Sequence, residues 1–133
     1  MDKKVKILYI EDSSDTQELV KIFLQKIGDI DAYPTAENIL QLLSEKDYDL
    51  LLLDINLPGK IDGTDALKLI RRDERFKDIP IIAVTAYAMI GDREKFLAMG
   101  CNEYISKPFF KEQLIEKIQS ILNKKHQKEA SNQ

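Results

Sequence analysis

The stretch Asp49–Gly59, DLLLLDINLPG, decides the fold. Its four successive leucines do not alternate apolar with polar, as a half-exposed strand would, and the run is too short for a helix. Asp49–Ile55 therefore reads as a central strand covered on both faces, the pattern of a parallel sheet held between helical layers. Asp54 stands near its carboxyl end, and Pro58-Gly59 breaks the chain just beyond.

The same grammar repeats outward from this strand. Upstream, Val5–Ile10 (VKILYI) is a short, branched strand, followed by a helical stripe over Ser14–Ile27. Gly28 marks that helix's end as a left-handed residue. Ile30–Tyr33 is a weak strand stopped by Pro34, and Thr35 is placed to cap a helix over Ala36–Glu45. Downstream, Asp62-Gly63-Thr64 opens a helix to Asp73, and Ile81–Val84 is a fourth strand. A helix over Ala88–Met99 stops at Gly100, Asn102–Ser106 is a fifth strand, and Lys111–Asn123 is a final helix. Five β-then-α units argue for an open, doubly wound five-stranded parallel sheet, because five strands are too few for a closed eight-stranded barrel.

Composition narrows the function. At 133 residues one domain is expected, spanning residues 1–123, with a polar tail over 124–133 that lacks apolar periodicity and is expected to fray. Lys plus Arg is 20 and Asp plus Glu 23, a formal net charge of −3. That balance lacks the basic excess of a nucleic-acid binder, so no nucleic-acid partner is expected. Cys101, alone, excludes an internal disulfide framework and a cysteine zinc cluster. No apolar run approaches the ~20 residues of a membrane span, and the N-terminus lacks the layout of a signal peptide. The expectation is a cytoplasmic protein without membrane contact.

The chemistry collects at strand ends. Glu11-Asp12 follow the first strand, Asp54 closes the third, Thr85-Ala86 follow the fourth and Lys107-Pro108 the fifth. A parallel sheet brings all these ends to one edge, which is where such sheets bind ligands. Three carboxylates gathered there repel strongly: at an effective dielectric of about 20, two unit charges ~4 Å apart cost about 4 kcal/mol. A cation is required, and an all-oxygen donor set suits Mg²⁺. Each residue also has a plainer reading. Glu11-Asp12 fit helix-capping acids, Asp54 a turn former, Thr85 a β-branched strand residue, and Lys107 a solvated turn residue. Their coincidence at four strand ends favours a joint site.

In this order, and in the segments DINLPG, IPIIAVTAYAM and YISKPF, these residues resemble the receiver domain of two-component response regulators, over Lys3 to about Asn123. The resemblance implies a flavodoxin-like fold with strand order 2-1-3-4-5 and helices on both faces. It implies that Asp54 accepts a phosphoryl group from a histidine kinase or histidine phosphotransfer protein, with Lys107 and Thr85 completing the catalytic set. Glu11, Asp12, Asp54 and the main-chain carbonyl of Asn56 would hold Mg²⁺. Thr85 and Tyr104 would form the switch, Asn56 and Tyr87 would tune the phosphoryl lifetime, and the Lys107–Pro108 bond would be cis. The output would pass to a protein target through the fourth helix, fifth strand and fifth helix. Such a protein catalyses only its own phosphorylation and dephosphorylation.

Some positions depart from the pattern or fall outside it. The loop Ile55–Gly63 carries one residue more than the commoner spacing between its proline and its Asp-Gly pair, which predicts a bulge beside the metal. Glu11 replaces a more usual aspartate. Tyr87 is placed to shield an acyl phosphate, although an exposed loop aromatic is an equally simple reading. Cys101 reads as a packed small residue. His126 lies in the tail without a helical bundle around it, and Lys124, Lys125 and Lys128 read as a solvated helix end. The competing functions are a receiver excised from a hybrid histidine kinase, a Mg²⁺-dependent aspartyl phosphohydrolase and a mononucleotide binder. The phosphohydrolase would need an acid two residues beyond Asp54, where Asn56 stands, and Glu11-Asp12 would repel a nucleotide phosphate.

Overall fold

The structure, a computed structural model, describes residues 4–86 and 88–131, with side-chain surroundings through residue 125. Five strands form one parallel sheet: β1 (Val5–Ile10), β2 (Gly28–Tyr33), β3 (Leu50–Asp54), β4 (Ile81–Thr85) and β5 (Glu103–Ser106). Their spatial order is β2-β1-β3-β4-β5, the expected flavodoxin-like order. The alternating helices are α1 (Ser14–Phe23), α2 (Ile39–Ser44), α3 (Gly63–Arg72), α4 (Asp92–Ala98) and α5 (Lys111–Ser131).

The leucine run explains the layering. Successive strand side chains point to opposite faces, so Leu51 and Leu53 join Leu8, Ile10, Ala83, Leu67 and Ile70 in one core under α2, α3 and α4. Leu50 and Leu52 join Ile7, Tyr9, Val84, Leu114 and Ile118 in the other, under α1 and α5. All four leucines are at most 1% exposed. The first crossover changes face between β2 and β3, so the sheet edge splits between β1 and β3, where the ends of these two strands lie side by side in register (Ile10 opposite Leu53).

Several element boundaries differ from those expected. Helix α1 stops at Phe23 and closes through turns over residues 24–27, and Gly28 is the first residue of β2 instead of a left-handed cap. A Cβ at Gly28 would lie 2.0 Å from the Val5 carbonyl oxygen, so its glycine serves close strand approach. Helix α2 begins at Ile39 with Asn38, not Thr35, before it; the Ala36 carbonyl first closes a tight turn with Ile39 N–H. Helix α4 begins only at Asp92, because Gly91 is left-handed at φ 90° and ends the regular backbone on its amino side. Asn102 precedes β5, its side chain accepting the Ile81 N–H. Helix α5 continues to Ser131, eight residues past its expected end, through a segment of strong helix formers that includes Lys, Gln, Glu and Ala.

Candidate functional site

Strands β1 and β3 deliver the acids. Asp54 is the last residue of β3 and is 3% exposed; Glu11, just past β1, is 1% exposed. Asp12, the next residue, is exposed. One carboxylate oxygen from each of Glu11, Asp12 and Asp54 lies within 4.8 Å of the other two. The three acids expected to meet do meet.

Lys107 arrives from the far side of the sheet. Its backbone N–H donates to the Thr85 carbonyl at 2.7 Å, and the Lys107–Pro108 bond is cis. Its ammonium donates to Asp54 Oδ2 at 2.9 Å and also to Glu11 Oε1. One ammonium thus faces three carboxylates, and a net negative pocket remains. Burial pushes the Glu11 carboxyl above its ordinary value, although Lys107 and the Ser13 N–H pull it down. Burial also works against the charge on Lys107, but its hydrogen bonds to Glu11 and Asp54 prevail and hold the ammonium above its ordinary value.

The remaining ligands of these groups come from neighbours that carry no motif. Tyr9 lies two residues before Glu11 on the same strand face and donates its hydroxyl to Glu11 Oε1 at 3.2 Å. Burial, then the Glu11 charge, pushes the Tyr9 phenol up, so it remains a donor. Ser13 N–H donates to Glu11 Oε2 at 3.1 Å, while the Ser13 hydroxyl caps α1 by accepting from Thr16 N–H. Capping thus falls to Ser13, which leaves both acids for the pocket. Gln17 donates to the Glu11 carbonyl at 2.6 Å. Sequence reasoning missed Tyr9, Ser13 and Gln17; the period-2 offset of Tyr9 from Glu11 is the signal that could have found the first.

Asn56 joins the acceptor side to β4. Its N–H donates to Asp54 Oδ1 at 2.8 Å, and its side-chain Oδ1 accepts the Thr85 hydroxyl at 2.7 Å. Thr85, 3% exposed, ends β4 one position beyond Val84, which lies opposite Asp54. The longer loop leaves Asp54 in place. Leu57 is buried, Ile61 packs on the core, and left-handed Gly59 (φ 97°) absorbs the turn between them. Asp62 then starts α3 with a reciprocal capping box to Asp65. Gly63 sits so tightly on the end of β3 that a Cβ there would be 2.3 Å from the Asp54 carbonyl oxygen. Tyr104 stands on β5 with its ring stacked on Phe96 of α4 at 5.8 Å between centroids, and its buried hydroxyl has no hydrogen-bond partner among the described residues. Tyr87 falls outside the described residues, as does the side chain of His126.

An open parallel sheet of this order, with an acid cluster and a lysine at its switch-point edge, defines a class of signalling domain. The family model for the response regulator receiver domain matches residues 7–119, and the chain belongs to that family. The polar-differentiation response regulator DivK of Brucella ovis is 36% identical over 87% of this chain and 94% of its own length. A putative response regulator from Chloroflexus aurantiacus superposes with a TM-score of 0.84 at 28% identity, over 91% of this chain and 99% of that one. The receiver domain of a sensor histidine kinase from Pseudomonas aeruginosa, with a magnesium ion coordinated in its active-site cleft, has a TM-score of 0.79 at 32% identity, over 89% and 97% of the two chains. The protein is therefore a response regulator receiver domain of two-component signalling.

Proposed function

We propose that Asp54 is the phosphoryl acceptor, served by a Mg²⁺ ion on Glu11, Asp12, Asp54 and the Asn56 main-chain carbonyl, with Lys107 and Thr85 hydrogen-bonding the transferred group. The observation that carries this reading is the pocket itself: three clustered carboxylates opposed by one ammonium. Hard oxygen donors with residual negative charge fit Mg²⁺, which dehydrates reluctantly and keeps open positions for phosphate oxygens. When bound, the ion supplies charge neutralisation at those oxygens.

The chain's own groups account for the rest. Lys107 and the Asn56 N–H fix the two oxygens of Asp54 before any donor arrives, so attack needs no search for orientation. A carboxylate oxygen of Asp54 bonds to phosphorus as the bond from phosphorus to the donor's histidine nitrogen breaks, and the leaving imidazole takes up a proton from solvent. The Lys107 ammonium then lies beside the new phosphoryl oxygens, and the Thr85 hydroxyl is the donor that can turn toward them. Phosphorylation by the donor and hydrolysis of the acyl phosphate are the only reactions assigned to the chain.

Receiver domains act with histidine kinases and phosphotransfer proteins. An apolar groove of about 440 Å³ borders Lys107, lined by Leu19, Val20, Phe23 and Phe109, and the exposed Ile22 (60%) and Phe110 (75%) are the chain neighbours of Phe23 and Phe109. It is suited to a helical, histidine-bearing donor, because it opens directly beside the acceptor pocket. The output face assigned here is α4, β5 and α5, where a groove of about 450 Å³ includes Tyr104, Ser106, Gln113 and Lys117. Tyr104 belongs both to that groove and to the Phe96 stack, which supports its switch role. No nucleic-acid partner is assigned. No helix among the described residues is long and apolar enough to cross a membrane, and a cytoplasmic site of action is part of this proposal.

Incubation with Mg²⁺ and acetyl phosphate, read by intact mass, tests the assignment. A labile phosphoryl adduct that disappears on adding a chelator beforehand and in Asp54→Asn is expected. An adduct that survives in Asp54→Asn would move the acceptor elsewhere.

A further inference from the structure

Asn56 has two contacts of different kinds, and their combination carries a consequence for the switch. Its backbone touches the acceptor carboxylate, and its side chain holds the hydroxyl of Thr85 at 2.7 Å. A threonine hydroxyl has one proton to donate. While that proton points to Asn56 Oδ1, it is not available to a phosphoryl oxygen on Asp54. Asn56 itself is exposed, in a loop turned by Gly59, and its side chain can swing away into solvent without disturbing either core.

We infer that the Asn56 side chain is a positioning residue that holds the Thr85 hydroxyl in its resting orientation, so that a phosphoryl group on Asp54 must compete with the Asn56 amide for that hydrogen bond. The inference rests on Asp54 being the acceptor, and it assigns Asn56 a role before phosphorylation as well as after. Asn56 sets how much of the binding free energy of the phosphoryl group is consumed in releasing Thr85. A weaker resting partner makes the switch easier to turn on. The main-chain groups of Asn56, including the carbonyl assigned to the metal, are unaffected by side-chain truncation.

The test uses beryllofluoride as an acyl-phosphate mimic at saturating Mg²⁺, with affinity measured by calorimetry for the wild type, Asn56→Ala, Thr85→Val and the double variant. Asn56→Ala is expected to bind beryllofluoride roughly 2- to 10-fold more tightly than wild type, the range one net hydrogen bond supplies. In the Thr85→Val background the same truncation is expected to change little, because no hydroxyl remains to be released. Unchanged or weaker binding by Asn56→Ala overturns the inference, as does equal tightening in both backgrounds, which would trace the effect to loop access. Wild-type protein that fails to bind beryllofluoride under these conditions defeats the assignment of Asp54 itself, and this inference with it. Wild-type binding without the Asn56 effect defeats the inference alone.

Discussion

At the scale of single residues, the balance of charge around Asp54 yields a stability prediction with a sign. At an effective dielectric of about 20, its attraction to Lys107 at 2.9 Å is about 6 kcal/mol. Its repulsion from two carboxylates at up to 4.8 Å sums to about 7 kcal/mol. Asp54→Asn offers one acceptor oxygen in place of two, and so gives up the bond from Lys107 or from the Asn56 N–H, but it removes the charge that two carboxylates repel; a higher Tm of the metal-free protein by thermal melting is the expected outcome. Saturating Mg²⁺ should narrow or reverse that advantage, since the wild type binds the ion more tightly. Asp31 on β2 gives a pH prediction. Partial burial pushes its carboxyl up, but hydrogen bonds from Lys46 at 2.8 Å and Tyr48 at 2.6 Å outweigh that and hold it below its ordinary value. A depressed carboxylate stabilises the fold above its unfolded value and loses that contribution as pH falls through the folded one. Asp31→Asn should cost about 1 kcal/mol at neutral pH, and the difference from wild type should shrink below about pH 4 in urea titrations. The acids and the lysine were legible in the sequence because each ends a strand. Tyr9, Ser13 and Gln17 were not, because each acts through a short-range contact with Glu11, along the strand or across the turn that follows it, and none is a residue type that stands out.

Individual elements position this chemistry through backbone contacts as much as through side chains. Helix α3 begins directly against the end of β3, with Gly63 in contact with the Asp54 backbone. Gly63→Ala places a Cβ 2.3 Å from a carbonyl oxygen and should destabilise the protein by roughly 1–3 kcal/mol, read by chemical denaturation, and weaken Mg²⁺ binding as β3 shifts. Helix α1 offers a second prediction. Ile22→Asp introduces a charge on an exposed face that the fold does not use, so phosphorylation by acetyl phosphate should proceed as in wild type. Transfer from a phosphorylated histidine phosphotransfer protein should slow by tenfold or more, the cost of ~1.4 kcal/mol or more in docking. Equal rates with both donors would place the docking surface elsewhere. Strand identities were readable from the apolar runs, whereas helix starts were not. The Ala88–Met99 pattern is helical in period, yet left-handed Gly91 delays its start to Asp92; Thr35 is a good cap by type, yet a turn closed by Ala36 comes first. Local backbone geometry decided both, and a periodicity of side chains carries no record of it.

For the whole molecule, the order β2-β1-β3-β4-β5 is what turns residues 11, 54, 85 and 107 into neighbours. β1 and β3 adjoin, so their terminal acids share one pocket; β4 and β5 follow, so Thr85 and Lys107 approach from one side. The sheet's two cores are separate, and the acid pocket lies at the carboxyl edge of the sheet, where Lys107 also borders the α1 groove. The architecture was legible because the non-alternating leucines of β3 permit only a doubly covered strand. The coupling from Asn56 to Thr85 was not, since 29 residues separate them and only the folded chain brings them together. Everything assigned to this edge depends on where a transferred phosphoryl group comes to rest. Treating the Mg²⁺- and acetyl-phosphate-loaded protein with borohydride reduces an acyl phosphate to an alcohol, and peptide mass mapping then locates it. The account predicts homoserine at position 54 and at no other aspartate; an unreduced Asp54 beside a modified Asp12 or Glu11 would contradict it.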